Sequence, residues 1–539
     1  MKSNSGWKGS KARCAAVVLC AAFFPGCNVG PNYSPPKYEV KPKFESVSAA
    51  ALTTQPSELP PPKPAPPPVY WWTVFHDPEL DRLIDRAMAG NLDYQAAQSR
   101  LKQARYQTII AGADEWPQIN ADGGYNHARG SKNVKIPTGA FGVTAPPSGT
   151  PASKLGDLKA QPAQETAGGS SGGAAGVPIG PQSPLGEGGL PNAITDVYQV
   201  GFDAEWEIDV FGGTRRSVEA SKADAAAQWD AEIGVLTSLQ AEVARDYIAL
   251  RGYQRQEAIA RENLGLQKDT LELTRSRYRN GFVTELDVAR QEAEVDQTQA
   301  EIPPLVSGER QSIHSLSILL GEDPDALSTE LTKVQPIPPA PPEVPIGLPS
   351  QLLTRRPDIR QAERQLAAAT ARIGVAEADL FPKFSITGLL GVDSSTPKNL
   401  FQYQSHYYEA VPGVTWPIFD AGRIWANVHV QTEMQRQSLL NYEETVLTAL
   451  GEVENSLVAY QTEQIRRSSL VDAVTASRQA LELAREQYQQ GVIDFLTVLD
   501  TQRSLLSAEN DLALSDQAVS DDLVQLFKAL GGGWEKQKS

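Results

Sequence analysis

A cysteine directly after a glycine, behind a basic start and a short apolar run, is what bacterial lipoprotein processing acts on, and Gly26-Cys27 has that setting. Lys2, Lys8, Lys11 and Arg13 make the basic start. Ala15 to Phe24 make the apolar run, too short to span a bilayer. Cleavage before Cys27 leaves it as an acylated, palmitate-bearing N-terminus. Phe24 stands where such sites usually carry Leu, and Pro25 is unusual, so an ordinary signal peptide cut nearby is the other reading. Asn28 is not the Asp that retains lipoproteins at the inner membrane, which points to the outer one. The other two cysteines, Cys14 and Cys20, lie in the same leader, so the rest of the chain has no thiol for disulfides or metal.

Other chemistry is excluded in turn. His76, His127, His314, His406 and His429 include no pair at metal-ligand spacing. The glycine-rich run Gly168 to Gly173 lacks the Lys-Ser/Thr that completes a phosphate loop. No Ser-His-Asp set or working carboxylate pair can be placed, so no enzyme and no cofactor is expected. The formal net charge is −16, with no run of Lys and Arg to bind phosphates, which argues against nucleic acid. One row of acids remains. Asp203, Glu205, Glu207 and Asp209 recur at every second position, a spacing that sets them on one face of a strand.

The strand that carries them alternates cleanly, with Tyr198, Val200, Phe202, Ala204, Trp206 and Ile208 on the other face. Ile119, Ala121, Gly123 and Tyr125 alternate likewise; Phe384, Ile386, Leu390 and Val392 do so more loosely, and a fourth strand fits near 407 to 418. No later segment has about 20 uninterrupted apolar residues, so a membrane role falls to strands of about ten residues. Four strands are too few to close a water-filled pore, so copies must combine in a ring. Between the strands, no proline interrupts 213 to 280, where Trp229, Ile233, Leu236, Leu239, Val243, Tyr247 and Leu250 recur by threes and fours. That predicts an amphipathic helix roughly 100 Å long. A second spans about 421 to 490. Gly281 and Gly491 supply the turns that end them, helices return to Gly321 and Gly531, and Pro303-Pro304 is expected to kink the first return.

The chain is two copies of this pattern. Leu273-x-Arg275-x-x-Tyr278-x-x-Gly281 recurs as Leu483-x-Arg485-x-x-Tyr488-x-x-Gly491, a shift of 210, which also takes Trp206 to Trp416. Upstream the shift is 265, taking Asp93 to Asp358 and Pro117 to Pro382. The difference, 55 residues, is an insertion in the first copy, placed at about 128–193. The expected divisions are a signal peptide at 1–26, a Pro-rich lipidated extension at 27–70, and a first repeat at 71–321. A Pro-rich linker at 322–345, a second repeat at 346–534 and a tail at 535–539 follow.

These residues resemble the TolC-like outer-membrane efflux factor family, in the lipoprotein branch paired with resistance-nodulation-division pumps. The matching stretches are Cys27 to Tyr33, Trp71-Trp72 to Phe75, Trp206 to Gly212, Glu301 to Leu305, Leu348 to Pro382 and Ala529 to Trp534. The resemblance implies a membrane β-barrel plus an all-α part, each repeat giving a strand pair and long coiled-coil-like helices. Three chains would share one β-barrel in outer-membrane lipid and one periplasmic α-helical barrel. A periplasmic adaptor and an inner-membrane pump of the resistance-nodulation-division type are the implied partners, and the duct itself does no chemistry. Protein secretion, metal efflux and a non-conducting envelope scaffold are the alternatives.

The resemblance also places the Gly281 and Gly491 turns at a periplasmic gate. Asp500 falls on a family position lining the constriction, and the companion acidic position is Thr497 here. Three converging copies of Asp500 would invite cations, with Arg503 able to neutralise them on the same helix face. Tyr488 and Asp287 occupy a tyrosine–aspartate link of the closed gate, whereas the arginine of a second link falls on Ile493; helix-packing aromatics are the equal alternative for Tyr278 and Tyr488. Asp203, Glu205, Glu207 and Asp209 would face the barrel lumen if Trp206 faces lipid; the alternative is that some sit below the membrane at the helix junction as ordinary solvated residues.

Overall fold

The computed structural model describes residues 28–38, 41, 44, 68–129, 194–341, 344–345 and 347–534. The leader with Cys27, most of the insertion (130–193) and the tail lie outside the described residues. The chain forms two units, one helical and one a small sheet.

The helical unit pairs elements of equal length. After a short 3-10 turn at Trp71–Phe75 and helix α1 (Pro78–Gly90) come α2 (Leu92–Ala113, 22 residues), α3 (Gly213–Arg279, 67 residues) and α4 (Glu285–Leu319, 35 residues). After the short α5 (Ser328–Leu331) and α6 (Pro349–Arg355), α7 (Pro357–Ala378), α8 (Arg423–Gln489) and α9 (Phe495–Ala529) repeat those three lengths. Adding 265 to the limits of α2 gives those of α7; adding 210 to α3 and α4 gives α8 and α9. The periodic apolar residues of α3 therefore do produce one unbroken helix. Helix α4 also runs on through Pro303 and Pro304, both exposed, so the carbonyls they leave without donors can be solvated.

The core lies midway along the long helices, where Val243, Tyr247 and Leu250 of α3 meet Val446, Val453 and Leu457 of α8 and Leu523 and Phe527 of α9. Trp71 stacks on Phe527 with centroids 5.6 Å apart. The linker wraps this level. Its prolines bring acceptors without donors, and buried donors answer them. Arg251, fully buried, donates to the Lys333 carbonyl at 2.8 Å, Ser520 to Pro338 at 2.8 Å, and Tyr460 to Pro341. Toward the turn at Gly281 the packing changes character. Gln267, Thr270 and Thr274 of α3, Gln291 and Thr298 of α4 and Gln502 of α9 are buried there. Gln291 donates to the Gln267 carbonyl at 2.9 Å and Gln502 to Thr270 Oγ1 at 3.0 Å, while the side-chain oxygens of Gln267, Gln291 and Gln502 have no partner.

The sheet unit has four strands in the order β1 (Gln118–Arg129), β2 (Ile194–Ile208), β3 (Lys383–Ser394), β4 (His406–Thr415). Strands β1 and β2, and β2 and β3, are antiparallel. The fourth strand stops at Thr415, short of the expected 418. The register puts Phe202 opposite Ala121 and Leu390, and Trp206 opposite Ile386, so the apolar rows share one face. That face is bare: Ile119 is 69% exposed, Phe202 56% and Leu390 58%.

Candidate functional site

Each end of the helical unit carries a group of polar contacts. At the start of α3, Arg216 is 2% exposed and clamps the segment that follows Cys27. It donates to the carbonyls of Val29 (3.0 Å) and Gly30 (3.2 Å) and to Asn32 Oδ1 (2.8 Å). Val29 in turn donates to the Phe211 carbonyl at 3.1 Å. Gly30, at φ +86°, lies so close to α7 that a Cβ would meet Gly374 Cα at 2.4 Å. Cys27 itself lies outside the described residues.

Of the four alternating acids, Asp203, Glu205 and Glu207 sit in β2 on the face opposite Trp206, and Asp203 accepts from Asn120 at 2.9 Å. Asp209 leaves the strand alternation and follows the helix-junction alternative. The strand ends at Ile208, and Asp209 instead accepts the backbone N–H (2.9 Å) and Nε (3.2 Å) of Arg215, at the positive N-terminus of α3.

At the other end, Gly281 and Gly491 turn the chain at φ +77° and +75°. Phe282 N–H bonds back to the Arg277 carbonyl, and Val492 N–H to Gln487, both at 2.9 Å. In α4, Asp287 accepts from the Thr284 hydroxyl (2.7 Å) and N–H (3.0 Å). In α9, Asp494 accepts from the Thr497 hydroxyl (2.6 Å) and N–H (3.0 Å), bonds that hold its carboxyl below the usual range.

Two expectations for the tip are therefore corrected. Asp287 caps its own helix, and no bond links it to Tyr488, whose hydroxyl is buried without a partner. Tyr488 is 3% exposed among Leu481, Phe495, Val498 and Leu499, which makes it a packing ring. Arg503 does not turn to Asp500. It pairs with Glu294 of α4 at 2.6 Å, because Glu294 is nearly buried beside it and Asp500 is in open solvent. Asp500 and Thr497 are both exposed.

Sequence reasoning missed Arg277. Its guanidinium lies 4.2 Å from the centroid of Tyr488, and its Nη2 donates to the Gln489 carbonyl at 2.9 Å, so it joins the α3–α4 hairpin to the α8–α9 hairpin. A signal was present, since the matching position one repeat on is Gln487, an uncharged residue. Higher on α9, Asp521 and Asp522 face Arg245 and Asp246 of α3 and Glu463 of α8; burial pushes both carboxyls up to about 6. Asp522 also lines a cleft of about 600 Å³ with Arg356, Asp358, Glu452 and Lys528.

The family model described as "Outer membrane efflux protein" matches residues 83–322 and 348–532. The chain is 30% identical over 534 residues to the outer membrane protein OprJ of Pseudomonas aeruginosa, covering 97% of this chain and 96% of that one. It is 29% identical over 509 residues to nodulation protein T of Rhizobium leguminosarum bv. trifolii, covering 94% and 95%. The solved outer-membrane channel OprN superposes with a TM-score of 0.77 at 30% identity, over 94% of this chain and all of that one. The open-state MtrE channel of Neisseria gonorrhoeae gives 0.70 at 25%, over 94% and 98%. The likeness covers strands and helices alike, so the β-barrel and α-helical-barrel architecture is that of this fold. With both repeats matched and these relatives covered almost end to end, the chain belongs to the outer membrane efflux protein family, as an outer-membrane channel of a tripartite efflux system that extends into the periplasm.

Proposed function

We propose that three copies assemble into a passive exit duct whose tip is a gate. The observation that carries this is the sheet, which bares an apolar face and leaves β1 and β4 each with one neighbour. Unpaired edges are not viable in hydrocarbon. Edge-to-edge closure of three sheets removes them, lipid covers Ile119, Phe202 and Leu390, and Asp203, Glu205 and Glu207 line the lumen. The helices support the same assembly. Within the chain α3 packs on α7. By the internal duplication, α8 then packs on α2 of the next copy. Trp425, Met434, Leu440 and Leu447 of α8 and Tyr106, Ile109 and Ile110 of α2 are exposed for that contact. Light scattering of the detergent-solubilised protein is expected to give three protomers and planar bilayers discrete conductance steps; a non-conducting monomer would overturn the reading.

The tip turns at Gly281 and Gly491 form the end that the periplasmic adaptor meets, below which an inner-membrane pump of the resistance-nodulation-division type supplies the energy. Asp500 of each copy rings the constriction, so Asp500→Ala weakens block by multivalent cations. Acylation at Cys27 adds an anchor held in place through Arg216, and mass spectrometry of the mature N-terminus tests it. Small drug-like molecules are the cargo class. Relatives of similar identity are named for cation efflux, pyoverdine export and solvent efflux, so cargo is chosen upstream of the duct.

A further inference from the structure

We infer that Arg277 is the latch of the tip, holding the two hairpins of one chain together in the closed duct; this rests on reading the tip as the gate. Both of its contacts lie on the opposite hairpin. One is the face of the Tyr488 ring, and the other is the carbonyl of Gln489, the last residue of α8. That carbonyl has no partner within its own helix and carries the negative end of the helix dipole. A single guanidinium thus binds a π face and a helix C-terminus at once.

Two further observations assign the latch to this pair. Tyr488 is wedged among apolar side chains and its hydroxyl makes no bond, so the ring is what it offers. The internal duplication also breaks here. Arg277 corresponds to Gln487, and Tyr278, the counterpart of Tyr488, is 43% exposed, so the contact occurs once per chain and in one direction.

Swinging one hairpin away must lift the guanidinium off the ring. A contact of this class shifts a two-state equilibrium about fivefold, and three copies compound to about a hundredfold. The test is single-channel conductance of purified full-length protein, with susceptibility of intact cells to a large antibiotic. Arg277→Ala is expected to raise both, and Arg277→Lys to give a partial effect, keeping a donor to the carbonyl but losing planar stacking. Tyr488→Phe should match wild type because the ring remains, while Tyr488→Leu should match Arg277→Ala. Wild-type behaviour of Arg277→Ala, or opening by Tyr488→Phe, overturns the latch. Asp500→Ala separates the two readings: altered cation block with a silent Arg277→Ala sinks the latch alone, and no change in either sinks the gate as well.

Discussion

Asp494 accepts the hydroxyl of Thr497 at 2.6 Å, and 210 positions earlier the same bond is made with the roles exchanged, Thr284 giving its hydroxyl to Asp287. Both returning helices thus begin on an aspartate–threonine pair three residues apart. In α4 the carboxylate sits inside the first turn and reaches back; in α9 it stands before the turn and reaches forward.

Because either order closes the turn, the double exchange Thr284→Asp with Asp287→Thr is expected to be nearly neutral. Asp287→Ala alone should cost about 1 kcal/mol locally. Hydrogen exchange in the first turn of α4 should quicken in the single variant and recover in the exchanged one. Conductance should stay at the wild-type level in both, since Asp287 holds its own helix and not the opposite hairpin.

Gly30→Ala tests the N-terminal clamp. The new Cβ meets the α7 backbone and the residue must hold a positive φ, so at least about 2 kcal/mol of docking is expected to be lost. Limited proteolysis should then cut within 28–38, with the helical unit intact.

The aspartates of α9 set a pH dependence. Asp521 is pushed up to about 6 by burial, above an unfolded value of about 3.9. Between those values the folded chain holds more protons than the unfolded one, so stability falls as pH rises through the window and levels off above it. Asp521→Asn removes a penalty of up to about 3 kcal/mol at neutral pH, at about 1.4 kcal/mol per unit. Thermal unfolding should show the variant above wild type at pH 7.5 and level with it near pH 4.

Deleting about 135–185 is expected to leave assembly and transport unchanged, because closing a surface loop depends weakly on its length. Loss of trimers on native gels would show that the insertion is structural.

What was legible in the sequence was whatever repeats along it. Periodicity and the absence of proline gave the long helices as about 213 to 280 and 421 to 490, within a residue or two of Gly213–Arg279 and Arg423–Gln489, because their far ends are set locally by Gly281 and Gly491. Partner choice was less legible. Arg503 was set against Asp500 by spacing along one helix, yet the carboxylate that took it, Glu294, is 209 positions away on another. Asp209 continued an alternation that the chain had already ended, since nothing in a run of alternating acids marks where strand becomes helix cap. Arg277 escaped because its ligands are a ring face and a main-chain carbonyl, so the one trace it leaves in the sequence is the break in the repeat at Gln487.

The buried amides near the tip have a mechanical consequence. An apolar seam interlocks by shape, and each small displacement opens voids until the next fit is found. The seam of glutamine and threonine side chains near the tip instead keeps three amide oxygens buried without a partner, and each carries a desolvation cost. Parting the hairpins at that end would hand those oxygens to water and recover the cost, whereas parting the apolar girdle midway along α3 and α8 would expose apolar surface, so separation is cheaper at the tip than at the girdle.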